Sequence, residues 1–357
     1  MGTRGSAFAL WTLVAGTAGV LTACGGAGGG GSTTTAAAPA PTVSAPAPAP
    51  ASTGDARNGS YTMVAADARE YTLALDFDAK TYRVTGNGLD QAGAIQANGA
   101  VYDFLPGNAS GATGSSTTRF SYTASTVVGE YALASGTVPF IASRTFATSL
   151  PTSPLTFTLL GRTVDTAAGT ADTTIQQGQI TADGRILTCD DNTIYEIASC
   201  PPASTTTGTL SISGDLITAA TSSGNVLYRI ATVGTDKVLL RASQSLGTTR
   251  RFVVGLPSVS AFTAGTFVGG TTEPAWGSVT LSTTAFSSTG TSPAGVTTTR
   301  TGTAASVGGT NSLGGLLFVS TTGTGNYYAT AGGQIGAVVA TRGSAVAPGF
   351  MALGVRQ

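Results

Sequence analysis

From residue 58 to the end of the chain, the hydropathy pattern has a period of two almost everywhere, and no segment sustains a 3.6-residue period. In Glu70-Tyr71-Thr72-Leu73-Ala74-Leu75-Asp76-Phe77, the side chains of Tyr71, Leu73, Leu75 and Phe77 share one face. Asn192 to Ile197 sets Ile194 and Tyr195 on opposite faces, and Leu227 to Ile230 and Lys237 to Arg241 continue the pattern. A period of two belongs to strands, whose neighbouring side chains point to opposite sides of a sheet. The dipeptides Asn87-Gly88, Asn98-Gly99, Asp183-Gly184 and Gly224-Asn225 punctuate these runs and supply the positive φ of tight hairpins. Abundant Thr agrees, because β-branched residues suit a pleated, half-wet surface. Only Val64 to Glu70 admits a helical turn or two. The fold class is therefore all-β, an antiparallel meander, sandwich or barrel.

The 300 residues from 58 to 357 suffice for a sizeable core and for more than one module. Two modules in series are expected, over 58–165 and 166–357, with breaks near Thr163–Thr173 and Leu256–Gly270. An internal echo accompanies them. Gly93 to Tyr102 lines up with Gly178 to Leu187 as glycine, apolar, polar, turn and apolar pair, and Gly208 to Ile217 is a weaker third copy.

Charged residues make up only 10% of the chain, against ~25% in a typical domain, and 17 Lys+Arg balance 17 Asp+Glu. No basic field is present to bind nucleic acid, so no nucleic-acid partner is expected. Histidine is absent, which excludes a Ser-His-Asp or Cys-His catalytic system, a His-ligated metal and a His-based pH switch.

The first 23 residues read as an export signal. Arg4 supplies a positive leader, and Ala7 to Ala23 is uncharged and mostly apolar but too interrupted by glycine for a spanning helix. The segment closes on Leu21-Thr22-Ala23-Cys24-Gly25, which resembles the lipobox of bacterial lipoproteins. That resemblance implies cleavage before Cys24 and lipidation of its thiol. Gly25 rather than Asp in the next position implies the outer membrane. The protein would then be lipid-anchored there, periplasmic or surface-exposed, since several acyl chains hold a protein stably where one does not. Residues 24–57 follow as a disordered tether. Its Gly-rich part is flexible, and its Ala-Pro run from Pro39 to Pro50 is a stiffer spacer of up to ~3.1 Å per residue.

Cys189 and Cys200 are the other two cysteines. In an exported chain their default is a disulfide, here expected to staple a hairpin and to contribute about 3 kcal/mol. No cofactor and no metal site are expected. Asp190-Asp191-Asn192 offers oxygen ligands without the spacing of a Ca²⁺ loop, and reads as a turn. Catalysis would have to come from a carboxylate pair as in a glycosidase. The candidates are Glu130, Glu196 and Glu273, with Asp76, Asp78 and Asp103 behind them. Neither Lys80 nor Lys237 follows a serine at the spacing of a Ser-Lys nucleophile, and the glycine-rich loops do not open a helix to cradle phosphate. For binding, Trp276 in Glu273-Pro274-Ala275-Trp276-Gly277 and the pair Tyr327-Tyr328 are the candidate surface. Gly265-Thr266-Phe267-Val268-Gly269-Gly270, followed by a strand expected from Gly277 to Phe286, resembles the barrel-opening hairpins of lipocalin-like and transferrin-binding surface lipoproteins. That resemblance implies a ligand-binding barrel. The strands lack a uniform apolar outer stripe, and the chain ends Gly354-Val355-Arg356-Gln357 without a terminal aromatic, unlike a pore-forming barrel.

The expected function is a non-enzymatic, lipid-anchored binding or scaffolding β protein of the cell envelope, with an envelope protein or a glycan as its kind of partner. The alternatives are a surface carbohydrate hydrolase with a carboxylate pair, and a lipocalin-like or transferrin-binding-like barrel.

Overall fold

The structure is a computed structural model that describes residues 54–107, 118–133, 136–189, 196–242, 245–246, 248–273, 275–308, 313–323 and 325–357. The leader, Cys24 and most of the tether lie outside the described residues, as do Asp190 to Tyr195. The described chain is all-β and antiparallel, and its strands close into three eight-stranded up-and-down barrels.

The first barrel comprises β1 (Gly59–Ala65), β2 (Arg69–Asp76), β3 (Thr81–Gly86), β4 (Leu89–Asn98), β5 (Val101–Pro106), β6 (Thr118–Thr123), β7 (Thr126–Leu133) and β8 (Gly136–Ser143), with β8 returning to β1. The second comprises β9 (Leu155–Asp165), β10 (Thr170–Ile180), β11 (Arg185–Cys189), β12 (Thr205–Ser213), β13 (Leu216–Thr221), β14 (Gly224–Val233) and β15 (Asp236–Ala242). A short β16 (Ser245–Leu246) leads into β17 (Thr249–Pro257), which pairs with both β15 and β9 and closes the ring. The third comprises β18 (Gly265–Thr271), β19 (Trp276–Leu281), β20 (Ala285–Thr291), β21 (Thr297–Ser306), β22 (Leu317–Thr321), β23 (Gly325–Gly332), β24 (Ile335–Ala340) and β25 (Met351–Arg356), with β25 returning to β18. In each ring the last long strand pairs with the first, and such closure removes the open sheet edges that invite aggregation.

Several local expectations change. Val64 to Glu70 is no helix: Ala65 pairs with Arg69 around a three-residue turn, with Ala68 at φ 64° and the Asp67 carboxylate accepting the Arg69 N–H. That is a hairpin loop ending in a left-handed residue, for which alanine substitutes here for the usual glycine. Thr163–Thr173 forms the β9–β10 hairpin, and Leu256–Gly270 holds the link from the second barrel to the third. Gly277 to Phe286 is not one strand but β19, a turn and the start of β20, because Ser282 folds its hydroxyl onto the N–H groups of Thr284 and Ala285.

Cys189 and Cys200 are disulfide-bonded, with their sulfurs 2.07 Å apart. The bond does not join two arms of a hairpin. Cys189 ends β11, whereas Cys200 lies between 3₁₀ turns at Ile197–Ser199 and Pro202–Ser204. Pro201 and Pro202 have no N–H to give a ladder, so the chain cannot return there as a paired strand.

Eight strands make a lumen just wide enough to be filled by side chains or to hold one small ligand. The three barrels use that space differently. The first is packed with aromatic rings: Phe104 lies 4.6 Å from Phe120, 4.7 Å from Tyr82 and 5.3 Å from Tyr131, mostly edge to face. Such pairs add about 0.5–1.5 kcal/mol each beyond their buried area. The second has an aliphatic end built from Leu159, Ile180, Ile217, Ile230 and Leu239. The third is partly hollow.

The outer faces of the barrels meet in one buried seam. It includes Val64 and Ile141 from the first barrel, Leu160, Leu240 and Val254 from the second, and Ile335, Val339 and Leu353 from the third. Every residue of β24 is buried, because one face looks into its own barrel and the other onto the neighbours. Polar ties cross the seam. Arg162 of β9 donates from Nη1 to the Ala66 carbonyl at 2.7 Å and from Nε to the Gly349 carbonyl at 2.8 Å, joining all three barrels. Arg229 of β14 pairs with Glu70 of β2 at 2.9 Å.

Candidate binding site

The hollow of the third barrel begins in its backbone. Along β24, β25, β18, β19 and β20, the paired residues Gly336, Gly354, Gly269, Gly277 and Gly290 form a continuous row across five neighbouring strands. By the alternation of the sheet all five face the lumen. A Cβ built on Gly269 would lie 1.8 Å from the Leu353 carbonyl oxygen, and one on Gly277 would lie 1.9 Å from that of Thr289. Glycine is required where backbones approach this closely. The row lets the sheet coil tightly and contributes no side-chain volume to its interior.

The result is a cavity of about 280 Å³. Its apolar wall comes from Phe267, Val279, Leu281, Phe286, Val338 and Phe350. Its polar groups come from the other inward positions of β20, β21 and β23, namely Ser288, Thr298, Arg300 and Tyr327, together with Glu273 from the loop after β18. Tyr327 is buried, with its ring 5.3 Å from Phe350 and nearly perpendicular to it. Arg300 donates from Nη2 to Glu273 Oε2 at 3.1 Å, and both side chains remain partly exposed. An ion pair this open to water contributes little stability, so it can exchange partners at small cost. At the opposite end the barrel is shut. Arg356 stacks 5.0 Å from the Phe267 ring and donates to the carbonyls of Thr263, Ala264 and Gly333.

The chemistry on offer is therefore recognition. A greasy chamber closed at one end carries a hydroxyl-lined, charged rim at the other, the usual composition of a small-molecule site.

The residues singled out from sequence fall in different places. Tyr327 lines the cavity. Tyr328 points to the outer face, half-buried, with its ring 5.6 Å from Phe318. Trp276 is 6% exposed, on the outer face of β19, since Gly277 faces inward. Glu273 reaches the rim. Glu130 is buried where β7 meets β18. Its pKa is pushed up to about 8 by burial, only partly offset by the Thr271 backbone and the charge of Arg119. Asp103 takes the Arg119 guanidinium at 2.6 Å. Asp76 Oδ1 accepts the N–H groups of Asp78 and Ala79, and Asp78 accepts from Asp55 and Asn58, so this pair organises turns. Glu196 is exposed. Cys24 and Asp190-Asp191-Asn192 lie outside the described residues. Among the described residues, no group of three or more His, Cys, Asp or Glu side chains is placed to hold a metal ion.

Arg300 and the glycine row were not singled out from sequence. Arg300 sits in the monotonous run Thr297-Thr298-Thr299-Arg300-Thr301, and the glycines align only once the strand register is known.

Comparison with protein-family models, with curated proteins and with solved structures finds no match to the chain.

Proposed function

We propose that the protein is a non-enzymatic binding protein of the bacterial envelope, held to the outer membrane through lipid on Cys24, whose third barrel takes a small, mostly apolar ligand with one polar end. The observation that carries this reading is the 280 Å³ chamber itself, apolar in its depth and rimmed by Glu273, Arg300, Ser288 and Thr298. An engineered apolar cavity of roughly 150 Å³ holds benzene, so a chamber nearly twice that size has room for two fused rings or a short acyl chain. The polar end of such a ligand would sit against the Arg300–Glu273 pair.

The lipobox and the Ala-Pro spacer support the anchored part of the reading. The absence of histidine from the chain, and the pairing of the rim's acid with Arg300, favour binding over catalysis.

A fluorescence titration with 2-naphthol tests the site. Ser288→Phe places a ring into the chamber from an inward position with space before it. The wild-type protein is expected to bind the probe, and Ser288→Phe to weaken binding at least tenfold while keeping its β-sheet circular dichroism. Equal binding by both proteins would contradict the assignment.

A further inference from the structure

The ion pair at the mouth of the third barrel has two unequal halves. Arg300 is rooted in the barrel wall: it pairs with Ser288 on β20, which in turn pairs with Val279 on β19. It therefore stands one inward position deeper than Thr298, whose partner is Gly290 of the glycine row. Glu273 instead follows the end of β18, at the rim. Its side chain is 48% exposed, against 32% for Arg300. Thr271 Oγ1 donates to the Glu273 backbone carbonyl, so the chain is held there while the carboxylate can turn away. Among the described residues that line the chamber, these two are the charged ones.

The contact between them uses little of what a guanidinium offers. One nitrogen, Nη2, donates to one oxygen, Oε2, at 3.1 Å. A guanidinium carries five N–H donors in a planar fork, and its strongest pairing takes a carboxylate through two parallel bonds. An incoming anion and an incoming cation would not be received alike. When an anion takes Arg300, the released Glu273 carboxylate turns from the rim into water and is hydrated there. When a cation takes Glu273, Arg300 stays rooted in the wall with its own charge unpaired beside the newcomer, and that like-charge contact is costly. Ser288, directly across from Arg300, adds a hydroxyl donor suited to an anion.

We propose that the polar end of the ligand is a carboxylate. The chamber takes a short aliphatic or aromatic acid, whose apolar body lies among Leu281, Phe286 and Val338 and whose carboxylate displaces Glu273 from Arg300. This rests on the reading of the third barrel as a binding chamber and adds that Arg300 selects the charge of what enters. Glu273 is the placeholder that keeps Arg300 paired until the acid arrives.

Three naphthalene probes that differ in one group test the proposal by fluorescence titration of the full-length protein near neutral pH: anionic 2-naphthoate, neutral 2-naphthol and cationic 2-(aminomethyl)naphthalene. The wild type is expected to bind 2-naphthoate about tenfold more tightly than 2-naphthol, the scale of one added hydrogen bond between charged groups, and to bind the amine most weakly. Arg300→Met should abolish the preference for naphthoate over naphthol. Glu273→Gln, which frees the guanidinium without altering the wall, should enlarge it. Arg83→Met, which removes an exposed ion pair on the first barrel, should leave it within about twofold. Binding of 2-naphthol with no tighter binding of 2-naphthoate would overturn the carboxylate assignment and leave the chamber standing. A preference retained in Arg300→Met or lost in Glu273→Gln would overturn it equally. Naphthoate bound as tightly by Ser288→Phe as by the wild type would place the acid outside the chamber and overturn the proposal. Binding of none of the three probes would overturn the chamber reading itself, and the carboxylate assignment with it.

Discussion

Gly270 of the third barrel lies against Glu130 of the first so closely that a Cβ built on Gly270 would stand 2.5 Å from the Glu130 Cβ. The contact seals Glu130 from water and leaves its Oε2 without a hydrogen-bond partner. A larger residue at position 270 has to push the two barrels apart. Gly270→Ala is expected to lower the free energy of unfolding by about 1–3 kcal/mol, measured by urea denaturation.

The same burial makes the barrel seam pH-sensitive. Between the ordinary carboxylate value of 4.5 and about 8, the native protein holds the Glu130 proton while the unfolded chain has released it. Stability from this group is fully present below the lower value and is lost as pH rises through the upper one. Glu130→Gln should be unable to lose it. The prediction is a difference of a few kcal/mol at most, seen as a smaller fall in stability between pH 5 and pH 8.5 for the variant than for the wild type. Parallel pH profiles would show that Glu130 ionises freely.

Arg162 holds carbonyls from two neighbouring barrels on one guanidinium. Arg162→Met keeps the length of the side chain and removes both bonds. A cost of roughly 2–4 kcal/mol is expected from two buried acceptors left unpaired, read as a lower urea midpoint at unchanged m-value.

Reduction of the Cys189–Cys200 bond should open the loop that it closes, which ends in the 3₁₀ turn Ile197–Ser199, and lower stability by about 3 kcal/mol. In the native protein both cysteines should resist alkylation until a reductant is added. Rapid labelling without reductant would show that the bond does not form.

Cys24→Ala should move the protein from the membrane fraction to the soluble fraction, because a Gly- and Pro-rich tether has no apolar surface of its own to bury in lipid. Retention in the membrane fraction would show that something other than lipid holds it.

The local structure of this chain was legible in its sequence. Tyr71, Leu73 and Leu75 do share the buried face of β2, and Asn87-Gly88 is a two-residue turn with φ positive at both positions. Long-range pairing was not. Nothing local tells β8 to return to β1, or β25 to β18, so a sandwich and a barrel look alike until the register is known. The internal echo shows the same limit. Its stronger match sets the fourth and fifth strands of the first barrel against the second and third of the next, whereas the weaker copy, Gly208 to Ile217, occupies the corresponding fourth and fifth. In that place Gly93 faces Pro106, Gly208 lies against Thr221 and Gly302 faces Thr321. Of the candidate site, Tyr327 and Glu273 were visible beforehand as an aromatic and an acid in a neutral chain. The chamber was not, because it is made by five glycines that have meaning only as neighbours.

The most direct test of the binding account is a crystal structure of the protein soaked with 6-bromo-2-naphthol, with bromine located by anomalous scattering. The account predicts a bromine peak inside the third barrel, among Leu281, Phe286 and Val338, with the hydroxyl turned toward Arg300. Bromine found only on outer surfaces or along the barrel seam, with that chamber empty at saturating probe, would contradict it.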